Sequence, residues 1–306
     1  MSKAHLRRWS IAVLAAAGLL VTAVLSWTAG PYSQQSAFSS GTVPTAAPKP
    51  QSKMREKNPA SIDSLIAARR VEPAMVRRLS GRAFLIDRPR ENRPPGDAAA
   101  FARTLLHASA NGDSTASYRL YLIAAECETA VSPDVFESYR LIKELVAPDY
   151  PKVMARQMEE CEGLLIDPVL SDSRRWINLA AAQGSVEAAT VYSLSIDQAV
   201  GGPQVWAAHP ERVIEYKQLG MRYLNEAAAL GYLPALQSLS QTYEGGFLVP
   251  ADPVKALAYW LALVGLSPQP AGLEKRTRWL EEGLSVAQRR NAHRQAAEIR
   301  QRCCMD

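Results

Sequence analysis

LNEAAALGYLPALQSLSQTYEGG, residues 224 to 246, decides the fold. Three alanines, Ala227 to Ala229, stand ahead of Gly231, and alanine returns at Ala235. Small side chains let two helices approach closely, and glycine readily takes the left-handed backbone that ends a helix. The stretch therefore predicts a helix, a tight stop and a second helix, closed by a wider turn at Tyr243-Glu244-Gly245-Gly246. None of its side chains has an evident chemical task.

The phrase recurs. Ala108 to Ala116 and Ala180 to Ala188 align with Ala227 to Ala235, each with a glycine (Gly112, Gly184, Gly231) followed four residues later by alanine. Gly112 to Gly184 is 72 residues, two steps of 36, and Gly184 to Gly231 is 47, one step with an insertion. The Gly/Pro-containing stretch between Asp197 and Arg212 is the natural home of that insertion and is expected as a loop. Trp176 and Tyr223 each precede their glycine by eight residues, and Trp260 follows Tyr223 by 37. Periods of this length mark stacked helical hairpins.

Composition agrees. Of 306 residues, 47% are hydrophobic and 21% charged, enough for a sizeable core. Val and Ile form no alternating runs, whereas Ala and Leu dominate the periodic segments. An all-α chain with almost no β-sheet is expected.

Four regions follow. In 1–29, Lys3, Arg7 and Arg8 precede an uncharged apolar run, and the next charge is Lys49. Trp9 and Trp27 lie 18 residues apart, about 27 Å along a helix, close to a bilayer's hydrocarbon thickness. The segment predicts a membrane-spanning anchor or uncleaved signal with a cytoplasmic N-terminus and the bulk of the chain outside; cleavage near Val24-Leu25-Ser26 is the alternative. Residues 30–60, rich in Pro, Ser, Ala, Thr and Gln, read as a disordered linker. Residues 61–95 form a basic lead-in with two short helices, the first capped by Ser61 and the second starting near Pro73. Residues 53 to 93 carry eleven Lys/Arg against five Asp/Glu. They are either a solvated approach or a contact for acidic lipid or polysaccharide. Residues 96–306 form the helical array, with 271 to 302 as a capping helix.

With AAAQGSVEAATVYS, EAAALGYLPALQSLSQTYEGG and ADPVKALAYWLA in view, the chain resembles the Sel1-like repeat family, tetratricopeptide-type α-solenoids. The likeness covers residues 174 to 265 best and 98 to 130 more weakly; Pro268 stands where the repeat would have glycine. It implies an all-α superhelix serving as a protein-binding scaffold or adaptor of a bacterial envelope. The inner membrane would hold it by a single pass with the repeats in the periplasm, or the chain would be periplasmic or secreted after cleavage. The family has no shared catalytic residues to carry over. Some secreted, cysteine-rich members are tied to β-lactams, so an envelope hydrolase (β-lactamase-like or polysaccharide-processing) or a glycan-binding accessory is the competing reading. The regular cysteine pair of those members is absent here.

The remaining constellations are sparse. Cys127 and Cys161, 34 residues apart, are a disulfide candidate in an oxidising compartment, with two buried thiols as the alternative. Cys303 and Cys304 are expected at an exposed end, frayed or paired with another chain. His5, His107, His209 and His293 have no metal-ligand spacing, and the sequence has neither a phosphate loop nor a nucleophile elbow. No catalytic, cofactor or metal residue is assigned, and no nucleic-acid partner is expected despite the net charge of +5. Solenoid geometry puts partner contacts on the first helix of each hairpin, with Tyr118, Tyr121, Tyr192 and Tyr216 as candidate surface residues.

Overall fold

The lead-in takes its first turn where Ser61 caps α1 (Ile62–Ala67) by accepting from the Ser64 amide. The computed structural model describes residues 61–89, 91–142, 149–267 and 273–305; the anchor 1–29, the linker 30–60 and Pro268 lie outside them. The expected second lead-in helix is instead a 3-10 turn, Pro73–Met75, running into strand β1 (Val76–Arg78). β1 pairs antiparallel with β2 (Phe84–Ile86) in the register Val76 to Ile86 and Arg78 to Phe84. Proline fixes the turn, and the ladder then satisfies backbone groups that so short a helix would leave open.

Beyond Pro95 the described chain is helical. The first hairpin is α2 (Ala98–Ala110) and α3 (Ser114–Ala130), capped by Asp97 and Asp113. α4 (Pro133–Ile142) and α5 (Tyr150–Leu165) follow. Next come α6 (Ser173–Ala182), capped by Asp172, and α7 (Val186–Leu194), capped by Ser185. The predicted insertion loop holds two short helices, α8 (Ile196–Ala199) and α9 (Pro203–Ala208). α10 (Pro210–Ala229) and α11 (Leu233–Gly245) make the third hairpin, and α12 (Pro253–Leu266) opens on Asp252-Pro253. The expected capping helix is two helices, α13 (Glu274–Glu281) and α14 (Val286–Cys303). Gly283, at φ +82°, turns the chain between them.

The three repeated glycines behave alike, with φ of +86° at Gly112, +92° at Gly184 and +91° at Gly231. Each hairpin packs on the next: α3 on α6, α7 on α10, α11 on α12, and α12 on α14. Ala180, Ala188, Ala235, Ala256 and Ala258 are fully buried at these seams, where a larger side chain would push the helices apart. Trp176, Tyr223 and Trp260 recur in the sequence because each fills the core.

The lead-in is packed against the array. Ile62, Leu65, Val71, Ala83 and Phe84 are buried, and Arg55–Asp306 form a single compact unit. The segment runs along the row of hairpin turns. The Arg69 carbonyl accepts from Ser114 Oγ at 2.9 Å, Arg70 lies against Gly184, and the Phe84 amide donates to the Gly231 carbonyl at 3.0 Å. It then returns through Arg88 and Arg93 to the start of α2. Among the described residues no helix is long and apolar enough to cross a membrane.

Candidate functional site

The four tyrosines expected at the surface lie in the core, with Tyr118, Tyr121, Tyr192 and Tyr216 only 3–6% exposed. Arg88 of the returning lead-in sits 5.0 Å over the Tyr118 ring and closes it off from solvent. Tyr121 donates its hydroxyl to Gln198 Oε1 at 2.6 Å, and Tyr216 donates to the Ser193 carbonyl at 2.9 Å. Tyr192 packs against both Tyr216 and Tyr223. A buried tyrosine needs one polar partner for its hydroxyl, and these packed helices supply it for two of the four. Burial pushes the phenol of each above its ordinary value.

The basic lead-in turns inward at Arg88 and Arg93, whereas Arg69, Arg77 and Arg78 form exposed pairs. Arg69 pairs with Asp113, Arg77 with Asp87 and Arg78 with Asp63. Arg88 forms a two-pronged contact with Glu187, its Nη2 at 2.6 Å from Oε2. Burial raises the Glu187 carboxyl above its usual range, and Arg88 only partly offsets this. For Arg88 burial acts downward, but the Glu187 contacts outweigh it and the guanidinium is held above its ordinary value. Arg93, 4% exposed at its side chain, reaches Glu160 at 2.8 Å and Glu126 at 3.3 Å. Its other arm donates to the Gly96 carbonyl at 2.7 Å. Glu126 and Glu160 each precede a cysteine of the Cys127–Cys161 disulfide, which spans 5.4 Å between Cα atoms. Arg93 and the disulfide therefore tie the same two helices, α3 and α5, together.

Cys303 and Cys304 are joined to each other and are 3% and 1% exposed, not frayed. Two contacts from the lead-in cover them: the Arg82 amide donates to the Cys304 carbonyl at 2.9 Å, and Arg82 Nη2 to the Arg302 carbonyl at 2.8 Å. Gly81 permits this approach, since a Cβ there would lie 2.1 Å from the Cys304 oxygen.

An open surface with aromatic and charged side chains occurs at the other side of α14. A groove runs between α10, α11, α12 and α14, with Ala228, Ala229 and Leu236 at one end and Lys255, Arg294 and Glu298 at the other. Tyr259, Ile299 and Arg302 belong to both stretches, so the groove is continuous. Its floor holds Tyr243 and Tyr259, stacked with centroids 5.7 Å apart and planes 6° from parallel. Lys255 Nζ lies 5.0 Å over the Tyr243 ring. Burial pushes the Tyr259 phenol up, Tyr243 adds to this and Arg302 opposes it, leaving a neutral hydroxyl at neutral pH.

The groove draws on α10 and α12, first helices of their hairpins, and equally on α11, a second helix that supplies Leu236 and Tyr243. Tyr259 adjoins the core position Trp260, and residues 271 to 302 are expected only as a capping helix. The available signal was the four-residue spacing of Arg294, Glu298 and Arg302, which sets them along one helix face. Among the described residues no group of His, Cys, Asp and Glu is arranged to hold a metal ion.

No protein-family model matches the chain, and the search of curated proteins finds no similar one.

Proposed function

We propose that this protein is a non-enzymatic interaction scaffold of the cell envelope: a Sel1-like α-solenoid tethered by residues 30–60 to a single N-terminal membrane anchor at 1–29. The observation that carries this reading is the groove between α10, α11, α12 and α14, lined by stacked tyrosines and mixed charges. Solenoids commonly bind partners along an extended surface of this kind. The Sel1-like assignment is supported by the 36-residue step and by its three left-handed glycines at equivalent turns. An outward-facing, oxidising location is supported by the two disulfides, which persist where thiols are not kept reduced. The lipid or polysaccharide contact considered for residues 53–93 would draw on cations such as Lys53, Arg55, Lys57 and Arg70, since Arg69, Arg77, Arg78, Arg88 and Arg93 already pair with carboxylates within the fold.

Photocrosslinking in intact cells tests the reading. A benzophenone amino acid replaces Tyr259 in the groove, and in a control it replaces Ile214, which is 59% exposed on α10. A discrete protein adduct from position 259 and none from 214 is expected. Absence of any protein adduct from the groove would overturn the assignment.

A further inference from the structure

The groove's chemistry also narrows what it would hold, given that it is the partner site. Arg294, Glu298 and Arg302 line the groove from α14, and Arg290 stands one turn further on, beside Arg294 in the hollow that adjoins it. Arg290, Arg294 and Arg302 have no carboxylate partner among the described residues. Arg294 donates to Asn291 Oδ1 at 2.9 Å and Arg302 to the Glu298 carbonyl at 3.4 Å, bonds that leave both charges uncompensated. On the facing wall Lys255 is only loosely held by Asp252 at 3.5 Å. The edges are therefore cationic and the floor aromatic.

Spacing adds a geometric constraint. Residues four apart on a helix are separated by about 6 Å along its axis. Alternate residues of an extended chain project to the same side about 6.6 Å apart. The arginine row and an extended peptide thus share nearly one repeat, and the rise from Arg290 to Arg302, about 18 Å, covers about six extended residues. We infer that the groove binds an extended acidic peptide segment of a partner protein, with carboxylates at alternate positions facing Arg290, Arg294 and Arg302 and an apolar side chain on the Tyr243–Tyr259 stack. Residues 30–60 of the chain itself do not fit, because Lys49, Lys53, Arg55 and Lys57 outnumber Glu56. A flat anionic membrane would reach the rim arginines but not the recessed tyrosines.

The test uses the full chain in detergent and two fluorescein-labelled peptides, one alternating Glu with Ser around a central Phe, the other with Gln for every Glu. Fluorescence anisotropy should show the Glu peptide binding about tenfold or more tighter than the Gln peptide, with the preference shrinking as ionic strength rises from about 0.05 to about 0.3 M. Arg294→Glu with Arg302→Glu, both exposed, should leave the circular dichroism and melting unchanged, weaken the Glu peptide about tenfold or more, and create affinity for a Lys counterpart. Equal binding of Glu and Gln peptides, or undiminished Glu-peptide binding by the variant, would overturn the proposal. So would arginine-dependent binding of phosphatidylglycerol vesicles or of alginate without binding of the Glu peptide. If position 259 still crosslinks to a protein in the charge-reversed variant, the scaffold reading stands and the acidic partner falls. If crosslinking to protein is absent from the native chain as well, both fall.

Discussion

Gly231 carries two constraints at once. Its φ of +91° suits glycine, and a Cβ there would lie 2.4 Å from the Arg82 carbonyl oxygen, part of a backbone that is itself hydrogen-bonded to the C-terminal turn. Gly184, at φ +92°, would place its Cβ against the Arg70 guanidinium, the far end of a side chain that can swing away. Gly112 faces open space. Each glycine-to-alanine change should cost about 1–2 kcal/mol for the left-handed backbone alone. Gly231→Ala should cost distinctly more than Gly184→Ala, with Gly112→Ala the mildest. Urea denaturation of the three variants measures this order; equal losses at Gly112 and Gly231 would mean that the lead-in's contact with the turn contributes nothing to stability.

At the scale of elements, α3 and α5 are joined twice, covalently through Cys127–Cys161 and electrostatically through Arg93. Replacing both cysteines by serine should lower stability by about 3–4 kcal/mol, the loop-closure value for a bridge of this span. Arg93→Met leaves Glu126 and Glu160 facing each other without their shared cation and should cost about 3 kcal/mol. The two changes differ in their pH dependence. For Glu160 burial acts upward, but the Arg93 bond, the Gly96 backbone and the charges of Arg93 and Arg156 together hold its carboxyl below the ordinary 4.5. A carboxyl depressed in the folded state contributes stability above its unfolded value, and this is lost as pH falls through the folded one. The native protein should therefore lose stability on acidification below about pH 4.5 more steeply than Arg93→Met does. The serine pair should keep the native pH profile. Denaturation curves at a series of pH values between neutrality and acid would decide, and parallel profiles for native and Arg93→Met would refute the linkage.

Over the whole molecule, the lead-in turns a row of hairpins into a strapped body. It touches the turns of the first, second and third hairpins and the C-terminal end of α14, positions that otherwise meet only their own neighbours. Arrays whose units contact only adjacent units can open piecemeal from the ends, whereas a strap across them couples distant units. Phe84, fully buried and 5.4 Å from Tyr232 between ring centroids, is the strap's main apolar anchor. Phe84→Ala should cost about 3–5 kcal/mol. It should also speed amide exchange together at the α10–α11 turn and at the end of α14, regions far apart in the chain. Faster exchange confined to residues beside Phe84 would show that the hairpins are stable without the strap.

The glycine period, the cap at Ser61 and the alanine seams were legible in the sequence, because each is a local matter of backbone conformation or of one helix's spacing. So was the pairing of Cys127 with Cys161, separated by nearly one repeat. The tyrosines were misplaced because helical spacing tells which side chains share a face but not what covers that face. Here adjacent helices cover Tyr121, Tyr192 and Tyr216, and a strap entering from another part of the chain covers Tyr118. For the same reason the spacing of the α14 arginines did not reveal a groove, because α10, α11 and α12, which stand opposite them, come from other parts of the chain. The sequence by itself determined that the described chain beyond residue 96 is a run of helices and that three of its turns fall at Gly112, Gly184 and Gly231, but not the turn at Gly283. The tertiary structure decided which polar and aromatic groups remain open to a partner, since exposure is set by contacts between residues tens to hundreds of positions apart.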